Sequence, residues 1–197
     1  MSGKVMIYAG VGAIVALTYF GWRLTSRGAY ESAEYAVLDS DGPFEIREYP
    51  DLIVATTKMK SDLQGEDGSF MRLFRYISGE NERKEKIAMT TPVFMATETD
   101  NTRGRLGFVM PKSFSENSVP NPSDEDVEIR KRIGGQFAVI RFPGRIDDAA
   151  TARAEDRLRG WMNGKGLIGV DEAESAGYDP PWTPGPLRRN EVLIRLK

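Results

Sequence analysis

Four side chains within six residues, Phe70, Met71, Phe74 and Arg75, are the chain's best candidates for contact with a ligand. At ~100° per residue, Phe70, Leu73, Phe74 and Ile77 fall within one narrow stripe of a helix, and Met71 and Arg75, four apart, lie together on its flank. Aromatic rings beside a thioether and a guanidinium would offer a flat apolar wall with a cation at its rim. Such a wall suits an amphipathic molecule that carries a carboxylate. A plainer reading is that the stripe is core and Arg75 lays its stem over the core edge. A fifth candidate, Trp182, sits in the segment Gly177 to Pro186, whose four prolines exclude a helix or a central strand. That loop is either functional or a packed turn leading into the last strand.

What is missing narrows the chemistry further. The 197 residues include no histidine and no cysteine. This excludes Ser-His-Asp catalysis, His- or Cys-ligated zinc, iron–sulfur clusters, disulfides and imidazole-ligated or covalently attached heme. Charged residues, 27 basic and 29 acidic, are spread along the chain with a net charge of −2, and no concentrated basic face marks a nucleic-acid partner. We find no Gly-rich phosphate loop after a strand and no persuasive catalytic carboxylate pair. The charge runs Lys84-Glu85-Lys86 and Asp124-Glu125-Asp126 read as solvated turns and strand ends.

The elements that must position these residues are written twice. Glu45-Ile46-Arg47 opens EIREYPDLIVATTK, and Glu128-Ile129-Arg130 opens EIRKRIGGQFAVIRF. Each is an alternating strand, a turn (Pro50-Asp51 or Gly134-Gly135) and a second strand rich in β-branched or aromatic residues. A helix follows each, over about Ser69 to Ser78 and about Asp147 to Asn163. Further strands are expected over Lys86 to Thr97, Arg105 to Met110 and Glu191 to Leu196. On the second helix Ala150, Ala154, Leu158 and Trp161 form the apolar face, with Asp147 or Asp148 as N-cap. The pattern is a duplicated ββαββ half and predicts an α+β fold, with helices packed on antiparallel sheet. Two such halves about an approximate twofold leave either a ligand groove or a filled seam between them.

From Val5 to Trp22 run eighteen residues without a charge, bounded by Lys4 and Arg23. As a helix they would span roughly 27 Å, about the thickness of a bilayer core. Tyr19 and Trp22 suit an interfacial belt. The expectation is a single-pass transmembrane anchor over residues 1–23, a linker over 24–33 and one domain over 34–197, with the domain outside the cytoplasm. A cleaved signal peptide is the alternative.

Three strings carry a family resemblance when taken together: SGENERKEKIAMTTPVF from Ser78 to Phe94, PSDEDVEIR from Pro122 to Arg130, and AGYDPPW with RRNEVL between Ala176 and Leu193. In this order they closely resemble the SOUL heme-binding protein family over about Ala33 to Lys197. The resemblance implies a distorted antiparallel β-barrel of two four-stranded sheets with two flanking helices. It also implies heme or another tetrapyrrole held in a shallow apolar groove beside the first helix, without a histidine ligand here. Phe70 and Phe74 then stand at heme-facing positions and Arg75 at a propionate-binding one. The chain departs from the family at two further basic positions, which are Asp67 and Thr183.

The expected function is a non-enzymatic heme or tetrapyrrole carrier or buffer at a membrane surface. The fold also looks like GyrI-like drug-sensing domains, so a module for other amphipathic, possibly cationic, molecules is an alternative, which Asp67 would favour. An enzyme acting on a tetrapyrrole would need a buried carboxylate of raised pKa facing the groove. A protein-interaction module would need the Trp182 loop exposed.

Overall fold

The computed structural model describes residues 30–59, 68–96, 104–180 and 182–197. The expected membrane helix and Asp67 lie outside these residues. Among the described residues no helix is long and apolar enough to cross a membrane. In chain order the strands are β1 (Glu31–Ser32), β2 (Ala36–Asp41), β3 (Phe44–Tyr49) and β4 (Leu52–Lys58), followed by helix α1 (Ser69–Ile77). Then come β5 (Thr90–Thr91), β6 (Val93–Ala96), β7 (Arg105–Val109), β8 (Val127–Arg132) and β9 (Gly135–Phe142). Helix α2 (Asp148–Lys165) and strands β10 (Gly169–Gly177) and β11 (Asn190–Leu196) complete the body. Pairing begins inside the stretch expected to be linker, because β1 pairs in parallel with β5.

The sheet order displays the duplication. Nine antiparallel strands run β2-β3-β9-β11-β10-β6-β7-β4-β8. Leaving out β2, the order is unchanged when the halves are exchanged, with β3 answering to β8, β9 to β4, β11 to β7 and β10 to β6. Two corrections follow. The two four-stranded groups are not separate sheets, since β10 pairs with both β11 and β6 and joins them. Nor does the sheet close into a barrel, since β2 and β8 are its two edges. The strand–turn–strand units are not hairpins either. β3 pairs with β9 and β8 with β4, so the chain crosses between halves at Pro50-Asp51 and again at Ile133-Gly134.

These crossings touch. The Gly134 N–H donates to Asp51 Oδ1 at 2.7 Å. A Cβ at Gly134 would lie 2.3 Å from the Tyr49 carbonyl oxygen and 2.5 Å from the Pro50 carbonyl carbon. Only glycine fits between two backbones this close.

Strand alternation sorts the core into three clusters. On one face Ala55, Met95, Leu106 and Phe108 pack under α1 with Leu73, Tyr76 and Ile77. Over the other half of that face, Ala138, Ile140, Val192 and Ile194 pack under α2 with Ala154, Leu158 and Met162. The opposite face folds onto itself around Tyr49, Val54, Phe94, Val109, Phe137, Val139 and Leu193, contributed by both halves. Arg132 of edge strand β8 spans this seam, its guanidinium 4.4–4.5 Å from the Phe94 and Phe137 ring centroids and bonded to Glu174. The two ends of the sheet therefore meet through side chains rather than through a ladder.

Strand β10 has the unlikely sequence GVDEAESAG, yet it is interior to the sheet. Its first residue must be glycine for lack of room: a Cβ at Gly169 would lie 2.5 Å from Ile194 Cγ2 and 2.7 Å from Met162 Cε.

Candidate functional site

Helix α1 lies on the outer face of the sheet and turns one side to solvent. Its buried positions are Ser69, Leu73, Tyr76 and Ile77. The core stripe is thus rotated by about one position from the expected one, and Phe74 leaves it. Phe74 is 42% exposed and Met71 50% exposed, large values for side chains of this size. Phe70 is half-buried between them and the core. Its ring stacks near-parallel on Phe74, centroids 6.2 Å apart, and meets Phe108 edge-on at 5.2 Å. The surface aromatic is therefore backed by a ladder of rings running down to β7.

The helix is held rigidly to the body. Tyr76 donates its hydroxyl to the Pro120 carbonyl at 2.9 Å, and burial with the nearby Glu85 charge pushes its pKa up to about 12. Asn81 Nδ2 donates to the carbonyls of Tyr76 and Glu85. Arg72 points inward, donating to Thr57 Oγ1 at 2.8 Å, with Asp124 and Asp126 at 3.9 and 3.8 Å from its Nε. Arg75 points outward. Its Nε lies 3.3 Å from Glu80 Oε2 and its Nη2 4.0 Å from Asp124 Oδ2. The structure thus brings Phe70, Met71, Phe74 and Arg75 together on one surface.

Trp182 stands on the β10–β11 connection, 62% exposed, and makes no ring contact with Phe70 or Phe74 among the described residues. Thr183 beside it is buried. A cleft of roughly 330 Å³ lies elsewhere, between Glu31–Glu34, Pro50–Ile53 and Val109–Lys112, and none of the five candidate residues lines it.

The opposite face of the sheet holds an ionic cluster that the motif reading missed. Arg47 and Glu191, both fully buried, form a bidentate pair at 2.7 and 2.9 Å. Arg47 also donates to Glu45 at 2.6 Å and to the Tyr49 hydroxyl at 3.0 Å. Glu191 further accepts from Tyr178 and Arg189. Burial alone would raise the Glu191 carboxyl, but Arg47 and Arg189 outweigh it and hold it below the ordinary carboxylate range. Burial pushes the Tyr178 and Tyr49 hydroxyls up. A proton-carrying acid for tetrapyrrole chemistry needs the reverse shift, so this cluster is a clamp between β3 of one half and β11 of the other. Its signal was present in the strand period, since Glu45, Arg47 and Tyr49 alternate onto one face. By contrast, nothing in the sequence spacing ties Asp124 to Arg75.

Heme-binding protein 1 of Mus musculus is 33% identical over 129 residues, covering 62% of this chain and 67% of that protein. Heme-binding protein 1 of Xenopus tropicalis is 27% identical over 162 residues, covering 78% and 84%. Among solved structures, the EcmrR C-terminal domain matches with a TM-score of 0.59 at 12% identity, over 83% of this chain and 98% of that one. A hydrolase from Listeria innocua matches with a TM-score of 0.60 at 11% identity, over 81% and 94%. At such identities these two show a shared fold and nothing more. Residues 30–195 match the SOUL heme-binding protein family, and the chain belongs to that family.

Proposed function

We propose that this chain binds heme or a related tetrapyrrole flat against the exposed face of α1, as a carrier or buffer rather than as a catalyst. The observation that carries the reading is the solvent-facing pair Met71 and Phe74, braced through Phe70 onto Phe108. An apolar face of this kind on a helix tied to the body through Arg72, Tyr76 and Asn81 costs little to order and gains when a macrocycle covers it. Membership of the SOUL family supports the ligand class, and the names of the Heme-binding protein 1 relatives point the same way. With no histidine or cysteine in the chain, the Met71 thioether is the one soft iron donor in this patch. Trp182 lies on a separate element, and the reading does not depend on it.

The uncharged run from Val5 to Trp22 supports a membrane tether that would hold the domain at a bilayer surface. The seam between the halves is filled by the Arg47–Glu191 clamp and by Arg132, which disfavours a ligand there.

An absorbance titration of the full-length protein with hemin tests the proposal. A saturable, stoichiometric Soret shift is expected. Phe74→Ala should weaken it by about tenfold or more, the worth of one well-covered aromatic ring. Trp161→Ala, a change on α2, should leave it unaltered. Equal weakening by both substitutions, or no saturable shift at all, would sink the α1 site.

A further inference from the structure

The charges around the α1 surface set which tetrapyrroles it accepts, an inference that rests on the reading above. Arg72 and Arg75 are the two cations of the helix. Arg72 is turned inward and engaged by Thr57, Asp124 and Asp126. Arg75 is the one that reaches the exposed apolar face, and it stands between Glu80 at 3.3 Å and Asp124 at 4.0 Å. Three carboxylates thus face two guanidiniums. The C-terminal end of α1, which follows Arg75 within two residues, adds the negative pole of the helix dipole on the same side.

An incoming free propionate would have to displace Glu80 or Asp124 from Arg75 and then lie close to the displaced carboxylate. All three groups are substantially exposed, so the existing pairs are weak and yield without great cost. Repulsion within the acidic rim remains after they yield. A macrocycle whose side-chain carboxyls are esterified or absent meets no such opposition, while gaining the same cover over Phe74 and Met71.

We propose that Glu80 and Asp124 act as specificity residues. They neutralise Arg75 and tune the α1 surface so that tetrapyrroles whose peripheral carboxyls are few or esterified bind more tightly than free dicarboxylates such as heme.

The test uses the full-length protein, titrated with hemin and with hemin dimethyl ester in one detergent. Four proteins are compared: wild type, Glu80→Gln/Asp124→Asn, Arg75→Gln and Phe74→Ala. Phe74→Ala reports whether each ligand sits on α1. The ester is expected to bind wild type more tightly than the free acid. Glu80→Gln/Asp124→Asn should tighten the free acid by about three- to tenfold and leave the ester within about twofold, as two exposed charge partners would. Arg75→Gln should change free-acid affinity by less than about threefold. A free acid that binds tighter than the ester by tenfold or more, and that Arg75→Gln abolishes, would overturn the inference. So would a double variant that changes neither ligand while Phe74→Ala weakens both; the α1 site would then stand without its selectivity. If Phe74→Ala weakens neither ligand, the site itself falls, and the inference with it.

Discussion

Helices α1 and α2 hold equivalent places in the two halves, each packed on the outer face over its own strands. Their solvent sides differ sharply. α1 is nine residues long, starts at Gly68 without a side-chain cap, and shows Met71 and Phe74 to solvent. α2 is eighteen residues long. It opens with Asp147, whose carboxylate accepts from the Ala150 N–H at 2.8 Å, and its exposed positions include Arg153, Asp156 and Arg157. Its one large aromatic, Trp161, is half-buried, stacked on Phe44 at 5.1 Å and bonded to Asp41. Stability does not explain the difference, because both helices bury a complete apolar stripe. After a duplication, one helix has the features of a support and the other keeps an uncovered apolar face, which is where a ligand would repay the exposure.

That comparison treats the halves as one cooperative body, and the largest effect tests this. Arg47→Ala would remove the fully buried cation between Glu191 and Glu45, leaving Arg141, which is 41% exposed, and Arg189 as their remaining partners, and should cost about 3–5 kcal/mol. Urea unfolding should show a lowered midpoint in a single transition reported equally by both halves; two separated transitions would break the comparison. The same clamp sets the acid response. Glu191 in the unfolded chain titrates in the ordinary range and in the folded chain below it. Its contribution is therefore complete above about pH 4.5 and is lost as pH falls through the folded value. Glu191→Gln should flatten that acid loss of stability.

Next in size is Gly134→Ala, where the crossings between halves touch. A methyl group there would run into the backbone of Tyr49–Asp51, so thermal unfolding should show a loss of about 1–3 kcal/mol. A smaller effect separates the helices themselves. Asp147→Ala should cost about 1 kcal/mol through the lost cap on α2. Hemin affinity should not follow, if α2 is only support.

Much of this plan was legible because it rests on periodicity. The repeated Glu-Ile-Arg strands, the turns after them, both helices and the Asp147 cap follow from patterns of two and 3.6 residues. Strand β10 was not legible, because its Gly, Ala and Glu residues are poor strand formers, and Gly169 is required by crowding against Met162 and Ile194 rather than by strand propensity. The crossing of β3 and β8 into opposite halves was hidden as well, since a two-residue connection normally signals a hairpin. At the candidate site, the helical stripe located Phe70 and Phe74 but could not say which faced out. That was settled by Tyr76, whose bond to Pro120 fixes the roll of α1. The acidic partners of Arg75 come from residues 5 and 49 positions away, and no local spacing announces them.

The central claim is that ligand sits on α1 and not on α2. Methionine methyl NMR of the full-length protein tests it directly, because Met71 lies exposed on α1 and Met162 lies buried under α2. Ferric hemin is paramagnetic and broadens nearby methyl signals. The account predicts that the Met71 signal is lost at one equivalent of hemin while Met162 stays sharp, and that Phe74→Ala restores Met71. Broadening of Met162 with Met71 untouched would contradict it.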